Sequence, residues 1–314
     1  MTLQTASDVI HKVELKQSLA YAELSNINLA QAQLSGGQFF SAYLKTANLS
    51  QADCRLSDFS RTILIRANLS YGFFSSANFS KANLIRAYCQ GANFREAQFL
   101  KAQLQGINLD ETEVSFADFT ETNLTEAKAN NGNFTGTFFI KAVLTNSEFT
   151  NSNFSQANLR EANLTQANWR GIILPDSNLQ KTNLTQAKLE KANFQGATLI
   201  AANFRETQLC RLECRQAKLE KAGFEDANLF DIDFSHSSLF ACNFEGATLS
   251  KVNFTNSNLT SANFENTIWQ DVIFEQTKVK DAVFSEAKGL TQKQKKYLME
   301  NGAIHVPNSN GTSE

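Results

Sequence analysis

The sequence predicts an all-β chain, a β-solenoid that turns at every fifth residue. Three observations carry this fold class. Every fifth residue from Leu19 to Phe284 is apolar or small over all 54 positions, 26 of them Leu and 20 Phe. A five-residue period drifts by about 140° per step on a helix and changes faces on a strand, so neither regular element accommodates it. Only two prolines and fourteen glycines occur in 314 residues, and no stretch reads as a linker. If each pentapeptide forms one short side ending in a turn, all centres point to one axis. Stacked sides then pair as parallel ladders about 4.8 Å apart.

Two residues before each centre the side chain is usually small, as in Ala42, Ala47, Ala52, Ser57, Thr62 and Ala67. The residue just before the centre is most often Asn or Asp, and Ser or Thr commonly follows it. These features resemble the pentapeptide-repeat family, whose motif A(N/D)LXX stands here as ANLSQ (47–51), ANFSK (77–81), ANLTQ (162–166) and ANFEN (262–266). The resemblance runs over residues 17–286 without an insertion. It implies a right-handed quadrilateral parallel β-helix with four pentapeptides per coil, the centre and the small residue facing inward. On that rule the centres fill about 13.5 coils, a rod roughly 60 to 65 Å long. The resemblance also implies a bacterial source, cyanobacteria above all.

Sorting the centres at intervals of twenty tests the four-sided rule within the sequence. One side runs Phe39, Phe59, Phe79, Phe99, Phe119 and Phe139 and then changes to Leu159, Leu179 and Leu199. The next side does the reverse, Leu24 through Leu184 and then Phe204, Phe224, Phe244, Phe264 and Phe284. The third is mainly Leu with Trp169 and Trp269, and the fourth mainly Phe from Phe74 onward. Such exchange keeps the interior volume nearly constant, as close packing favours. On the fourth side the small inward position becomes large at Leu212, Ile232, Val252 and Val272, and the centre beside the first shrinks to Cys214. Cys54, Cys89, Cys214 and the two tryptophans therefore read as core filling.

The organisation expected is an N-terminal cap over 1–18, the β-helix over 19–286, a C-terminal helical cap over 287–304 and a disordered tail over 305–314. A solenoid end has unpaired backbone groups and is usually covered. Ser7 to Lys16 has the pattern of a short amphipathic helix. At the other end Thr291 with Gln294 forms a capping box ahead of KQKKYLME, and Asn301 with Gly302 stops the helix. Leu290, Tyr297, Leu298 and Ile304 are placed to pack over the last coil, with a dimer contact as the competing use.

Several functions are disfavoured. No stretch reaches the roughly 18 to 20 apolar residues of a membrane span, and MTLQTASDVIHKVELK lacks a secretory apolar region, so a soluble cytoplasmic chain is expected. The formal charge of −2 argues against direct nucleic-acid binding. Five cysteines without a CxxC pair and three scattered histidines support neither disulfides nor a metal site. No nucleophile elbow or phosphate-binding glycine loop appears, so no catalytic residue and no cofactor is assigned and an enzyme is not expected. The sequons at Asn48, Asn68, Asn78, Asn123 and Asn163 are written by the repeat itself.

Outward positions carry the functional variation. The second side and its edge present Phe40, Tyr43, Ile63, Ile65 and Ile85, with Arg61, Arg66, Lys81 and Arg86 nearby. An apolar patch rimmed by cations suits a protein partner. Residues 223–286 contain ten acids and three bases, with Glu225, Glu245 and Glu265 in one column beside Glu206 and Asp226. A solvated face explains that column. The sharper reading rests on resemblance to gyrase-protecting members of the family, whose acidic rods mimic DNA. Because residues 171–222 hold eight bases against five acids, a protein-interaction scaffold is preferred to a DNA-mimicking modulator of a type II topoisomerase.

Overall fold

The computed structural model describes residues 4–307, and within them the backbone repeats with a period of twenty. The chain divides into two compact units, Met1–Asn163 and Leu164–Glu314. Each is a four-sided parallel solenoid. In the first unit the amides of Leu19, Leu24, Leu29 and Leu34 donate to the carbonyls of Gln38, Tyr43, Asn48 and Asp53 at 2.7–2.8 Å, one bond per side. The amide of Tyr43 returns to the carbonyl of Ala22 at 2.9 Å, and parallel bridges run from Glu23–Tyr43 to Val143–Asn163.

The pentapeptide consensus has a local cause at each position. The amide of Ala22 donates to the carbonyl of Leu19 at 3.1 Å, closing the corner, and Tyr21 between them has φ of 59°. A left-handed residue costs about 1 to 2 kcal/mol when it is not glycine, so the ladder must hold each corner. The Asn before the centre helps: Asn48 Oδ1 accepts from the amide of Ser50 at 3.1 Å, and its Nδ2 donates to Asn28 Oδ1 one coil away at 3.0 Å. At several polar inward positions the hydroxyl is satisfied, as when Thr62 Oγ1 donates to the Phe59 carbonyl at 2.6 Å and Ser57 Oγ to the Leu34 carbonyl at 2.8 Å, whereas Ser257 Oγ is buried without a partner.

The core is a set of one-coil stacks. Rings Phe39, Phe59, Phe79, Phe99, Phe119 and Phe139 lie 4.6–5.1 Å apart and within 7° of parallel. In the second unit the stack is Phe204, Phe224, Phe244, Phe264 and Phe284 at 4.7–5.0 Å. Here strands β1 (Lys188–Glu190), β2 (Gln208–Glu213), β3 (Asn228–Asp233), β4 (Thr248–Asn253) and β5 (Ile268–Gln270) form a parallel sheet in that order. In β2 to β4 the pairing continues through the corner, with Leu212, Ile232 and Val252 in register and buried. The enlarged inward residue is thus accommodated by extending the ladder.

Helix α1 (Ala6–Glu14) begins at a reciprocal Thr5–Asp8 cap and buries Val9 and Val13. Helix α2 (Gln292–Glu300) begins at Thr291 and buries Leu298. It supplies donors to carbonyls near the end of the ladder: Gln294 Nε2 to Val272 at 2.8 Å, and Tyr297 Oη to Thr277 at 2.9 Å. The Tyr297 ring lies 5.4 Å from that of Phe274. Ile304 departs from the expected apolar packing, being 42% exposed. Its backbone extends the ladder instead, bridging Val283 with its amide on the Ala282 carbonyl at 2.8 Å. Of the expected tail, His305 lies 3.3 Å from Ser285 Oγ, and 308–314 fall outside the described residues.

Candidate functional site

The patch anticipated on the second side resolves into parts. Tyr43 and Ile63 are bridge partners on the outward face, and the Arg61 guanidinium sits 5.9 Å over the Phe40 ring, which Tyr21 meets edge-on at 5.7 Å. Lys81 follows Arg61 one coil on, at a corner with φ of 60°. Ile65, Arg66, Ile85 and Arg86 are brought together along the other edge, where with Lys45 they line an open groove of about 460 Å³. Gly106 and Gln105 continue the groove and Glu126 closes its far end. At Gly106 a β-carbon would lie 3.3 Å from Arg86 Cγ, so the arginine stem rests on the next coil.

The patch is less apolar at its surface than the sequence suggests. Tyr43 is 47% exposed, whereas Ile63, Ile65 and Ile85 are half-buried. Charge distinguishes it more sharply. Seven of the ten arginines have a carboxylate within 4 Å. Among the described residues the three without such a partner are Arg61, Arg66 and Arg86. Lys45 is likewise without an ion pair there.

On the second unit Glu225, Glu245 and Glu265 form a one-coil column, consistent with amides of Asp226 and Gly246 donating to the carbonyls of Glu245 and Glu265 at 3.0 Å. Glu225 folds back over Gly223, where its Oε1 accepts from Asn243 Nδ2 at 2.7 Å. Glu206 is engaged by Gln186 Nε2 at 2.7 Å and Arg205 Nε at 3.3 Å. Asp226 at the adjoining corner lays its Oδ1 over Gly246. Arg205 and Lys221 border the same groove, so the acidic face is interleaved with cations at its near end.

Aromatic side chains are also exposed away from the second side. Tyr71, Phe73 and Tyr88 are 51%, 49% and 56% exposed, and Tyr71 lies on Gly91, where a β-carbon would be 2.4 Å from the ring. Phe116 is stacked on Gly136 with Arg95 5.3 Å above it. The same twenty-residue sort over all outward positions would have found them. Cys54, Cys89, Cys214 and Cys242 are buried, and burial pushes their thiols well above the ordinary range. Among the described residues no group of His, Cys, Asp or Glu is arranged to hold a metal, and no helix is long and apolar enough to cross a membrane.

The chain is similar to the crystal structure of HetL, a pentapeptide repeat protein involved in heterocyst differentiation regulation from the cyanobacterium Nostoc sp. strain PCC 7120. Identity is 22% over 89% of this chain and 96% of that one, with a TM-score of 0.33. It is also similar to full-length QnrB1, a plasmid-mediated fluoroquinolone resistance protein, at 18% identity over 62% of this chain and 90% of that one, with a TM-score of 0.30. A pentapeptide repeat protein from the thylakoid lumen of Arabidopsis thaliana matches at 30% identity over 38% of this chain and 79% of that one, with a TM-score of 0.20. No curated protein matches the sequence. The Pentapeptide repeats model matches residues 42–110 and 117–276 in overlapping copies. With its right-handed quadrilateral β-helix, the chain belongs to the pentapeptide repeat family.

Proposed function

We propose that this chain is a non-enzymatic protein-interaction scaffold whose groove at Ile65 and Ile85 docks an acidic, partly apolar segment. The observation that carries the reading is the pairing of arginines. Seven of the ten guanidinium groups meet a carboxylate and that of Arg61 lies over the Phe40 ring, but Arg66 and Arg86 flank an apolar floor with no carboxylate within 4 Å. Arginine at a partly desolvated site is a frequent binding anchor, and its truncation there costs roughly 2 kcal/mol or more. A site within the axis has no room, since centres and small residues fill it with side chains that are almost wholly buried.

The test is fluorescence anisotropy with a labelled peptide alternating Glu and Leu. Replacing Tyr43, Ile65 and Arg66 with Ala is expected to weaken binding by about thirtyfold, the equivalent of about 2 kcal/mol, with the circular dichroism unchanged. Equal affinity in the triple variant would refute the assignment. The topoisomerase reading draws on the acidic column, and Arg205 and Lys221 within that face oppose it. Dose-dependent inhibition of gyrase supercoiling by the purified protein would reverse the preference.

A further inference from the structure

The acidic segment that best fits the groove is carried by the chain itself. We propose that the groove of one molecule docks the glutamate column of a second copy, an inference that rests on the acidic-docking reading above. Arg66 and Arg86 stand one coil apart in a single corner column, with Lys45 beside Thr46 in the coil before, and the arginine spacing is fixed by rungs such as the Arg66 amide on the Ile85 carbonyl at 3.0 Å and the Arg86 amide on the Gln105 carbonyl at 2.9 Å. Glu225, Glu245 and Glu265 also occupy three successive coils on rungs of 3.0 Å. Both columns therefore carry the same pitch, about 4.8 Å. Placing one carboxylate on one guanidinium places the next pair as well. A flexible peptide would lose conformational freedom to achieve that match, whereas a solenoid presents it already ordered.

Each column is also unfavourable alone, since like charges directly opposite on adjacent strands destabilise a ladder. Mutual pairing relieves both. The flanking charges select the direction. With the copies antiparallel, Arg86 and Arg66 meet Glu225 and Glu245 in turn, and Lys45, one residue off the arginine column, faces the coil of Glu265. The next coils then bring Arg205 opposite Gly106, one coil from Glu126. Thus the acid that closes the groove and a cation that interrupts the acidic column become neighbours. A parallel approach separates them by several coils.

The experiment is sedimentation velocity of the full chain from 5 to 200 µM in 0.1 M and 1 M NaCl. Reversible self-association is expected in 0.1 M salt and at least tenfold weaker association in 1 M salt, because the Debye length falls from about 10 Å to about 3 Å. Two double variants follow, Arg66→Glu with Arg86→Glu, and Glu245→Arg with Glu265→Arg. The fold tolerates these residue types, since Glu96 and Glu121 sit at left-handed corners and Arg55 and Arg95 follow other centres. Each variant alone is expected to be monomeric, and an equimolar mixture is expected to associate again, because the Glu245, Glu265 variant keeps the groove and the Arg66, Arg86 variant keeps the glutamate column. A wild type that stays monomeric in 0.1 M salt, variants that associate as the wild type does, or a mixture that fails to restore association would each overturn the proposal. The Glu–Leu peptide separates the two levels. Binding to a monomeric wild type but not to the Arg66, Arg86 variant leaves the acidic-docking reading standing and removes the second copy, whereas no binding removes both.

Discussion

Phe99 provides the sharpest test of how the interior is held together. Its ring is fully buried, stacked 5.0 Å from Phe79 and 4.6 Å from Phe119, and meets Phe94 edge-on at 5.3 Å. Truncating a buried Phe to Ala costs about 3 to 5 kcal/mol, the upper part of the range applying where the surroundings cannot collapse. Here the main chain on either side is fixed by rungs, including the Phe99 amide on the Asp118 carbonyl at 2.7 Å. Phe99→Ala is therefore expected to cost about 4 to 5 kcal/mol. Phe99→Leu keeps most of the volume and loses three ring contacts of about 0.5 to 1.5 kcal/mol each, partly replaced by aliphatic packing, so about 2 kcal/mol is expected. Phe116→Ala serves as the control, since that ring is 47% exposed, and should cost under about 1 kcal/mol. Solenoids do not unfold in a strictly two-state manner, so urea titration by circular dichroism is to be paired with hydrogen exchange of amides 98–104. Wild-type midpoint and protection in Phe99→Ala would refute the packed axial stack.

Three further outcomes are expected. Of the five thiols only Cys210 is half-buried, so a thiol-reactive dye should modify one equivalent quickly in the native protein and the other four only after unfolding. Gly289 has φ of 84°, and a β-carbon there would stand 2.0 Å from the Trp269 carbonyl oxygen, whereas Gly36 has φ of 71° with nothing within 4 Å. Gly36→Ala should lower stability by about 1 to 2 kcal/mol, and Gly289→Ala should lower it by more, the difference being read from thermal melting. The Arg55 side chain, by hydrogen-bonding Asp53 at 2.6 and 2.8 Å, holds that carboxyl below its ordinary value of 3.8. Its contribution is fully present above the unfolded value and is lost as pH falls through the lower folded value, so Asp53→Asn should flatten the acid limb of stability below about pH 4.

The repeat made the interior legible because one rule fixes every inward position. Sorting the centres by twenty anticipated the Phe39 to Phe139 stack and its transfer to Phe204 to Phe284, and the enlarged residues Leu212, Ile232 and Val252 are the ones that share a continuous strand register. The ends were legible only in part. A capping box announced α2, but no local pattern shows that Gln294 and Tyr297 reach the carbonyls of Val272 and Thr277, since those contacts span 22 and 20 residues across the last coil. Ile304 was misread because its bridge to Val283 lies 21 residues away, one more than the coil. In the patch, the residue types of Ile65, Arg66, Ile85 and Arg86 were visible. Their groove was not, because it depends on Gly106 leaving the next corner bare.

The twenty-residue ladder turns every outward choice into a column, and the columns show that the chain can neutralise its own surface. Lys101 meets Glu121 at 3.2 Å, Lys128 meets Glu148 at 3.6 Å and Lys141 meets Glu161 at 3.8 Å, each pair one coil apart. Such exposed pairs contribute only about 0 to 1 kcal/mol apiece, so stability does not demand them. They nonetheless show that opposite charges are placed on adjacent rungs where the surface is meant only for water. Arg66 with Arg86, and Glu225 with Glu245 and Glu265, break that pattern on the same backbone geometry. Nothing in the corner conformation requires it, because Gly, Thr and Glu occupy the equivalent positions 106, 46 and 126. Arg66 and Arg86, left without a carboxylate on a ladder that pairs Lys101, Lys128 and Lys141, are what the proposed docking of an acidic segment would satisfy.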